Sequence, residues 1–153
     1  MTEIIRLRVI ARVRNERAST DDHGWGRVES RIELEPKFAS GVAGLDQFSH
    51  VLILFYMHID PDGEVPTLQR RPRGRPDMPL LGVFAQRGRM RPNVIGVTAA
   101  EIVRVEPGVV VVRGLDAIDG TPVLDLKPYV PTFDRRDATR VPEWMERLNE
   151  GYF

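Results

Sequence analysis

The sequence contains no cysteine. Disulfides, thiolate metal ligands and cysteine nucleophiles are therefore excluded, while nothing decisive follows about compartment. Histidine is scarce, and His23, His50 and His58 do not have the spacing of a zinc site, so no metal is expected. Lysine is scarcer still: arginine supplies 20 of the 22 basic residues. The formal net charge is zero, so no global field announces a nucleic-acid or membrane partner. No apolar run approaches the roughly 18 residues of a membrane span. The dinucleotide glycine fingerprint, the Walker loop, the zincin helix motif and the nucleophile elbow are all missing. Charges threaded through MTEIIRLRVIARV argue against a signal peptide and make a cytoplasmic protein the expectation.

What is present is ordinary in bulk and uneven in detail. With 153 residues, 42% hydrophobic and 29% charged, one domain over 1–153 with a sizeable core is expected. Ile4 to Val13 reads as a strand, with Leu7, Val9, Ala11 and Val13 on one face and arginines on the other. Val28 to Leu34 alternates as a half-exposed strand. Pro36 to Gln47 allows only a short helical turn. Phe48 to Ile59, FSHVLILFYMHI, is the most apolar run, and its length and β-branching predict a central strand buried on both faces. Asp60 to Pro79 holds five prolines and two glycines and reads as a surface loop.

A short strand is expected at Leu81 to Ala85, and a hairpin joins Ile95–Val105 to Val109–Arg113 through Glu106-Pro107-Gly108. Another strand, Val123 to Leu126, follows the Asp119-Gly120 turn, and a short helix starts at Val141-Pro142. Short strands, close turn signals and little helix predict a mainly all-β fold: a small barrel or strongly bent sheet with short helical segments.

Two stretches carry charge that packing does not call for. From Arg70 to Arg91 there are seven arginines and one acidic residue, Asp77. A planar guanidinium suits phosphate, so anion or nucleic-acid contact is weighed against a solvated loop. LDAIDGTPVLDLKPY sets Asp116 and Asp119 about a turn and alternates Asp125, Lys127 and Tyr129 with apolar residues. Either this is an ion-paired exposed face, or its carboxylates bind a cation or hydroxyls while Lys127 and Tyr129 face a substrate. His58 ends the apolar strand, where ligands commonly meet a scaffold; His50 reads as a strand-end cap.

Three ordered segments, FSHVLILFYMH, GVFAQRGRMRPNVIGVT and LDAIDGTPVLDLKPYVP, together resemble the TsaA-like (TrmO) family. The resemblance covers about 28–134. It implies a small β-barrel, a homodimer with the cofactor near the interface, and S-adenosylmethionine-dependent methylation of N6-threonylcarbamoyladenosine in tRNA. By matching motif positions it implies cofactor contacts from His58, Ile59, Arg87, Val97, Asp116, Ala117, Ile118 and Asp119. Arg91, Pro92, Asn93, Lys127 and Tyr129 match positions that shape the substrate side. A ureido-type N–H is a poor nucleophile, so a general base would help, with Asp119, Asp125 and Tyr129 as candidates.

The chain also departs from the family pattern. ERASTDDHGWGRVES holds no counterpart of the usual Pro-Arg-Gln element, Gln86, Gly88 and Val94 stand at changed positions, and 135–153 replaces a longer extension. Three functions follow as expectations: a tRNA methyltransferase, a methyltransferase of the same fold acting on a small molecule, and a non-catalytic module that binds the cofactor or RNA.

Overall fold

The computed structural model describes residues 3–58 and 67–153. Six strands close into an antiparallel barrel in the order β1-β2-β7-β6-β3-β8, where β1 is Ala11–Arg14, β2 Glu29–Leu34, β3 His50–Tyr56, β6 Ile95–Glu106, β7 Val109–Arg113 and β8 Pro122–Pro128. Closure comes from β8 pairing with β1, Ala11 opposite Val123. A closed barrel has no free edge along these strands. Two further strands, β4 (Gln69–Arg70) and β5 (Leu81–Gly82), pair as a separate ribbon. Two short helices, α1 (Pro131–Asp134) and α2 (Glu143–Leu148), follow the barrel.

The interior collects alternate residues of each strand. Val13, Ile32, Val51, Ile53, Val110, Val112 and Val123 are all fully buried and pack as one cluster. The hairpin β6–β7 forms as its sequence predicts, with a register shift between Ile102 and Arg104 that bends the longer strand. A second shift, between Leu54 and Phe55 of β3, leaves Leu124 of β8 as the extra residue and bends β8.

Three expectations are corrected. The first strand is only Ala11–Arg14; Ile4, Ile5 and Leu7 are exposed at 86%, 78% and 62%. The alternation there pairs with no strand among the described residues. Glu35 N–H still donates to the Ile10 carbonyl at 2.9 Å, and then Pro36, without an N–H, ends the neighbouring strand. β3 is buried on one face only: Val51, Ile53 and Phe55 are inside, while Leu52 and Leu54 are half-buried and Tyr56 is exposed. A barrel offers one interior, and a continuous apolar run does not reveal that. Within the described part of Asp60–Pro79 the chain is more than a loop, since β4 forms and Pro72 and Met78 are buried.

The divergent loop 15–27 has its own anchor. Trp25 is buried, its indole N–H donates to the Asp21 carbonyl at 2.7 Å, and the Arg17 guanidinium lies 4.1 Å from its ring centre. Cation–π packing and a satisfied indole fix this loop, whose one regular element is the 3-10 turn Trp25–Arg27.

Candidate functional site

A cleft of about 1030 Å³ opens at one end of the barrel. Inward residues of β3 and β6 (Phe55, Gly96, Thr98) line it, and so do outward residues of the same strands (Leu52, Ile95, Val97, Ala99). The cleft therefore wraps around the first half of β6. Gly96 is required where it stands: a Cβ there would lie 2.5 Å from the Phe55 ring. Ile95 and Val97 leave 36% and 42% of their surface exposed, an apolar wall open to whatever enters.

The segment after β7 supplies the polar wall. Asp116 accepts hydrogen bonds on both oxygens, from the Thr98 hydroxyl and from the Tyr152 hydroxyl, the latter at 2.5 Å. Burial and the neighbouring Asp116 charge, in that order, raise the pKa of Tyr152, so its hydroxyl remains a donor. Asn15 fastens the segment, donating from its side chain to the Ala117 carbonyl at 2.8 Å and to the Ser30 hydroxyl at 2.9 Å. Ala117 and Ile118 are buried and line the cleft.

His58 enters at the end of β3. Burial first, then the Arg12 charge, lower its pKa, and its Nδ1 is buried with no partner among the described residues. Arg87 donates to the Val97 carbonyl at 3.1 Å, and Arg91 braces the arginine loop by donating to the carbonyls of Val83 and Gln86, each at 2.9 Å.

The cleft thus brings together His58, Arg87, Arg91, Val97, Asp116, Ala117, Ile118 and Tyr129. Asp119 stands behind it: its carboxylate accepts the Asn15 N–H at 3.1 Å and its own N–H donates to the Arg17 carbonyl at 2.7 Å. Asp125 pairs with Lys127 at 3.1 Å and faces a different hollow, beside Phe38 and Val42. Asn93 is exposed and outside the lining, and Ile59 lies outside the described residues.

Thr98, Tyr152 and Trp25 are lining residues that the sequence reading missed. A hydroxyl among the inward positions Gly96, Thr98 and Ala100 was a signal for the first; nothing local marked Tyr152. Of the seven clustered arginines, Arg70, Arg73, Arg87, Arg89 and Arg91 collar the cleft, while Arg75 pairs with Asp77 at 2.7 Å. Among the described residues no group of acidic or histidine side chains could hold a metal ion, and no helix is long and apolar enough to cross a membrane.

The family model of the tRNA-methyltransferase O N-terminal domain matches residues 16–135. A probable S-adenosyl-L-methionine-binding protein of Methanothermobacter thermautotrophicus is 38% identical over 135 residues, covering 85% of this chain and 93% of that protein. The human tRNA (adenine(37)-N6)-methyltransferase is 41% identical over 108 residues, covering 71% of this chain and 24% of that protein. A crystal structure of TrmO from P. aeruginosa superposes with a TM-score of 0.76 at 30% identity, over 94% of this chain and 63% of that one. Two further relatives are likewise longer, the chain spanning 62% and 43% of their lengths.

Proposed function

The chain belongs to the family of the tRNA-methyltransferase O N-terminal domain, and from that premise we propose that it binds S-adenosylmethionine in the barrel-mouth cleft and methylates an adenosine of tRNA. The finer expectation is N6-threonylcarbamoyladenosine as acceptor. The observation that carries this reading is one cleft with an exposed apolar wall, Ile95 and Val97, and a hydroxyl-held carboxylate, Asp116.

The residues fit the cofactor's chemistry. Apolar residues of β3 and β6 suit the adenine ring. An ionised carboxylate has about four acceptor sites, so Asp116 keeps about two for ribose hydroxyls or the ammonium. Arg87 suits the carboxylate end. His58 offers an unpartnered ring nitrogen and, with its pKa lowered, adds no positive charge at neutral pH to oppose a sulfonium. When bound, S-adenosylmethionine supplies an electrophilic methyl group for in-line displacement.

The chain's own task is then alignment and exclusion of water. Of the three candidates for the general base, Tyr129 is the one that lines the cleft, and its phenolate would be the form that takes the proton; Asp119 and Asp125 are engaged elsewhere. The arginine collar suits the phosphates of an RNA. The homodimer belongs to the same reading: exposed Phe84 and Tyr56 are the kind of apolar surface that a second copy covers. So does a cytoplasmic location.

Two measurements test the proposal. Calorimetry should show saturable binding of S-adenosylmethionine, and labelled methyl should pass to tRNA with a steep salt dependence. No heat at millimolar ligand rules out the cofactor reading. Label that enters small molecules and not tRNA rules out the acceptor, and binding without transfer to either leaves a sensor.

A further inference from the structure

Residues 136–153 lie outside the stretch that the family model matches, yet they build one wall of the cleft. α2 and the residues after it place Trp144, Leu148 and Tyr152 there. The segment is tied down at several points. Gly24 N–H donates to the Gly151 carbonyl at 3.0 Å, and Trp25 N–H donates to the Tyr152 carbonyl at 2.9 Å. The Arg73 guanidinium lies 5.8 Å from the centre of the Tyr152 ring and pairs with Asp22 at 3.3 Å. The divergent loop and this segment therefore hold each other, and the segment reaches Asp116 through Tyr152.

That carboxylate is gripped from two sides. Thr98, on the barrel, donates to one oxygen, and Tyr152 donates to the other. Fixing a side chain before a ligand arrives removes the ordering cost from the binding step. We propose that Tyr152 is a positioning residue for the cofactor: acting through Asp116, it holds the carboxylate in the orientation that receives the hydroxyls or ammonium of S-adenosylmethionine. The proposal rests on the cofactor reading of the cleft. It also gives a role to residues outside the stretch that the family model matches.

A four-protein calorimetric cycle with S-adenosylmethionine tests it, using the full chain, Tyr152→Phe, Asp116→Ala and the double variant. Phenylalanine keeps the ring beside Phe153 and Arg73 and removes only the donor. Tyr152→Phe should weaken binding about five- to tenfold in the native background and less than twofold once Asp116 is alanine.

Equal losses in both backgrounds, or no loss in the native one, overturn the proposal. If the native chain itself gives no heat, the cofactor reading fails first, and the two failures are distinguishable. A second measurement needs no variant. The Tyr152 hydroxyl proton should be protected from exchange and stay protected when the chain is saturated with S-adenosylmethionine. Loss of that signal on saturation would mean that the ligand displaces Tyr152, which also overturns the proposal.

Discussion

The two halves of β6 face different worlds. From Ile95 to Ala99 its outward side chains are apolar and open to the cleft. From Glu101 onward, on both sides of the shift at Ile102/Arg104, charged side chains appear and are answered at once. Arg113 reaches Glu101 at 3.3 Å, Arg104 reaches Glu106 at 2.7 Å, and Arg31 reaches Glu106 at 3.2 Å. The charged half completes itself with its neighbours β2 and β7. The apolar half is complete only when something else covers it, which is what a binding wall looks like before its ligand is present.

A charge placed on the apolar half should give the largest effect. Val97→Asp puts a carboxylate against whatever the wall covers. Calorimetry should show S-adenosylmethionine affinity falling at least about 100-fold, about 2.7 kcal/mol. The melting temperature should hold, because Val97 is already 42% exposed. Retained affinity would show that the wall serves some other surface.

Next in size is Gly96→Ala, on the inward side of the same half. The new methyl group would meet the Phe55 ring at 2.5 Å. Overpacking of this kind costs about 1–3 kcal/mol, and each kcal/mol lowers the melting temperature of a chain this size by about 2–4 °C. Because Phe55 also lines the cleft, cofactor binding should weaken too. An unchanged melt would mean that the ring moves aside freely.

The contrast between the halves also marks what could be read in advance. Alternation in β2 and the β6–β7 hairpin were legible, because each strand records in its own residues which side is buried. The stretches 70–91 and LDAIDGTPVLDLKPY stood out through misplaced charge, and the resemblance to the family added Arg87, Val97 and Asp116–Ile118. Three things were not legible, each for the same reason: the deciding partner is distant in sequence. Ile4 to Val9 continues the alternation of β1 but pairs with no strand among the described residues. The apolar run of β3 does not say that its outer face borders a cleft. The bond from Tyr152 to Asp116 spans 36 residues and ends in a segment with no pattern of its own.

A smaller effect belongs to His58, at the mouth beside the apolar half. Its folded pKa is lowered, by burial and then by Arg12, so the unfolded chain binds the proton more readily. The linked stability is therefore fully present above the ordinary histidine value of 6.5 and is lost as pH falls through the lower folded value. Melts recorded from pH 7.5 down to about 5 should show a decline that His58→Gln flattens. S-adenosylmethionine affinity should fall over the same window, since protonation sets a charge near a sulfonium. A decline of equal slope in the variant would assign it to other groups.

The smallest effect should come from the charged half. Glu106 accepts from Arg104 and pairs with Arg31, and the hydrogen bond from Arg104 holds its carboxyl below the usual range. The sign is opposite in origin to that of His58 but alike in direction: this contribution is present at neutral pH and fades as acid protonates the carboxylate. The pair lies in solvent, where screening and side-chain entropy consume most of the attraction. Glu106→Gln should therefore move the melting temperature far less than Gly96→Ala, and not at all in 1 M salt, where the screening length is about 3 Å. S-adenosylmethionine binding should be untouched. A loss of binding as large as that of Val97→Asp would mean that the charged half is not self-contained, and that the cleft reaches past the bend in β6.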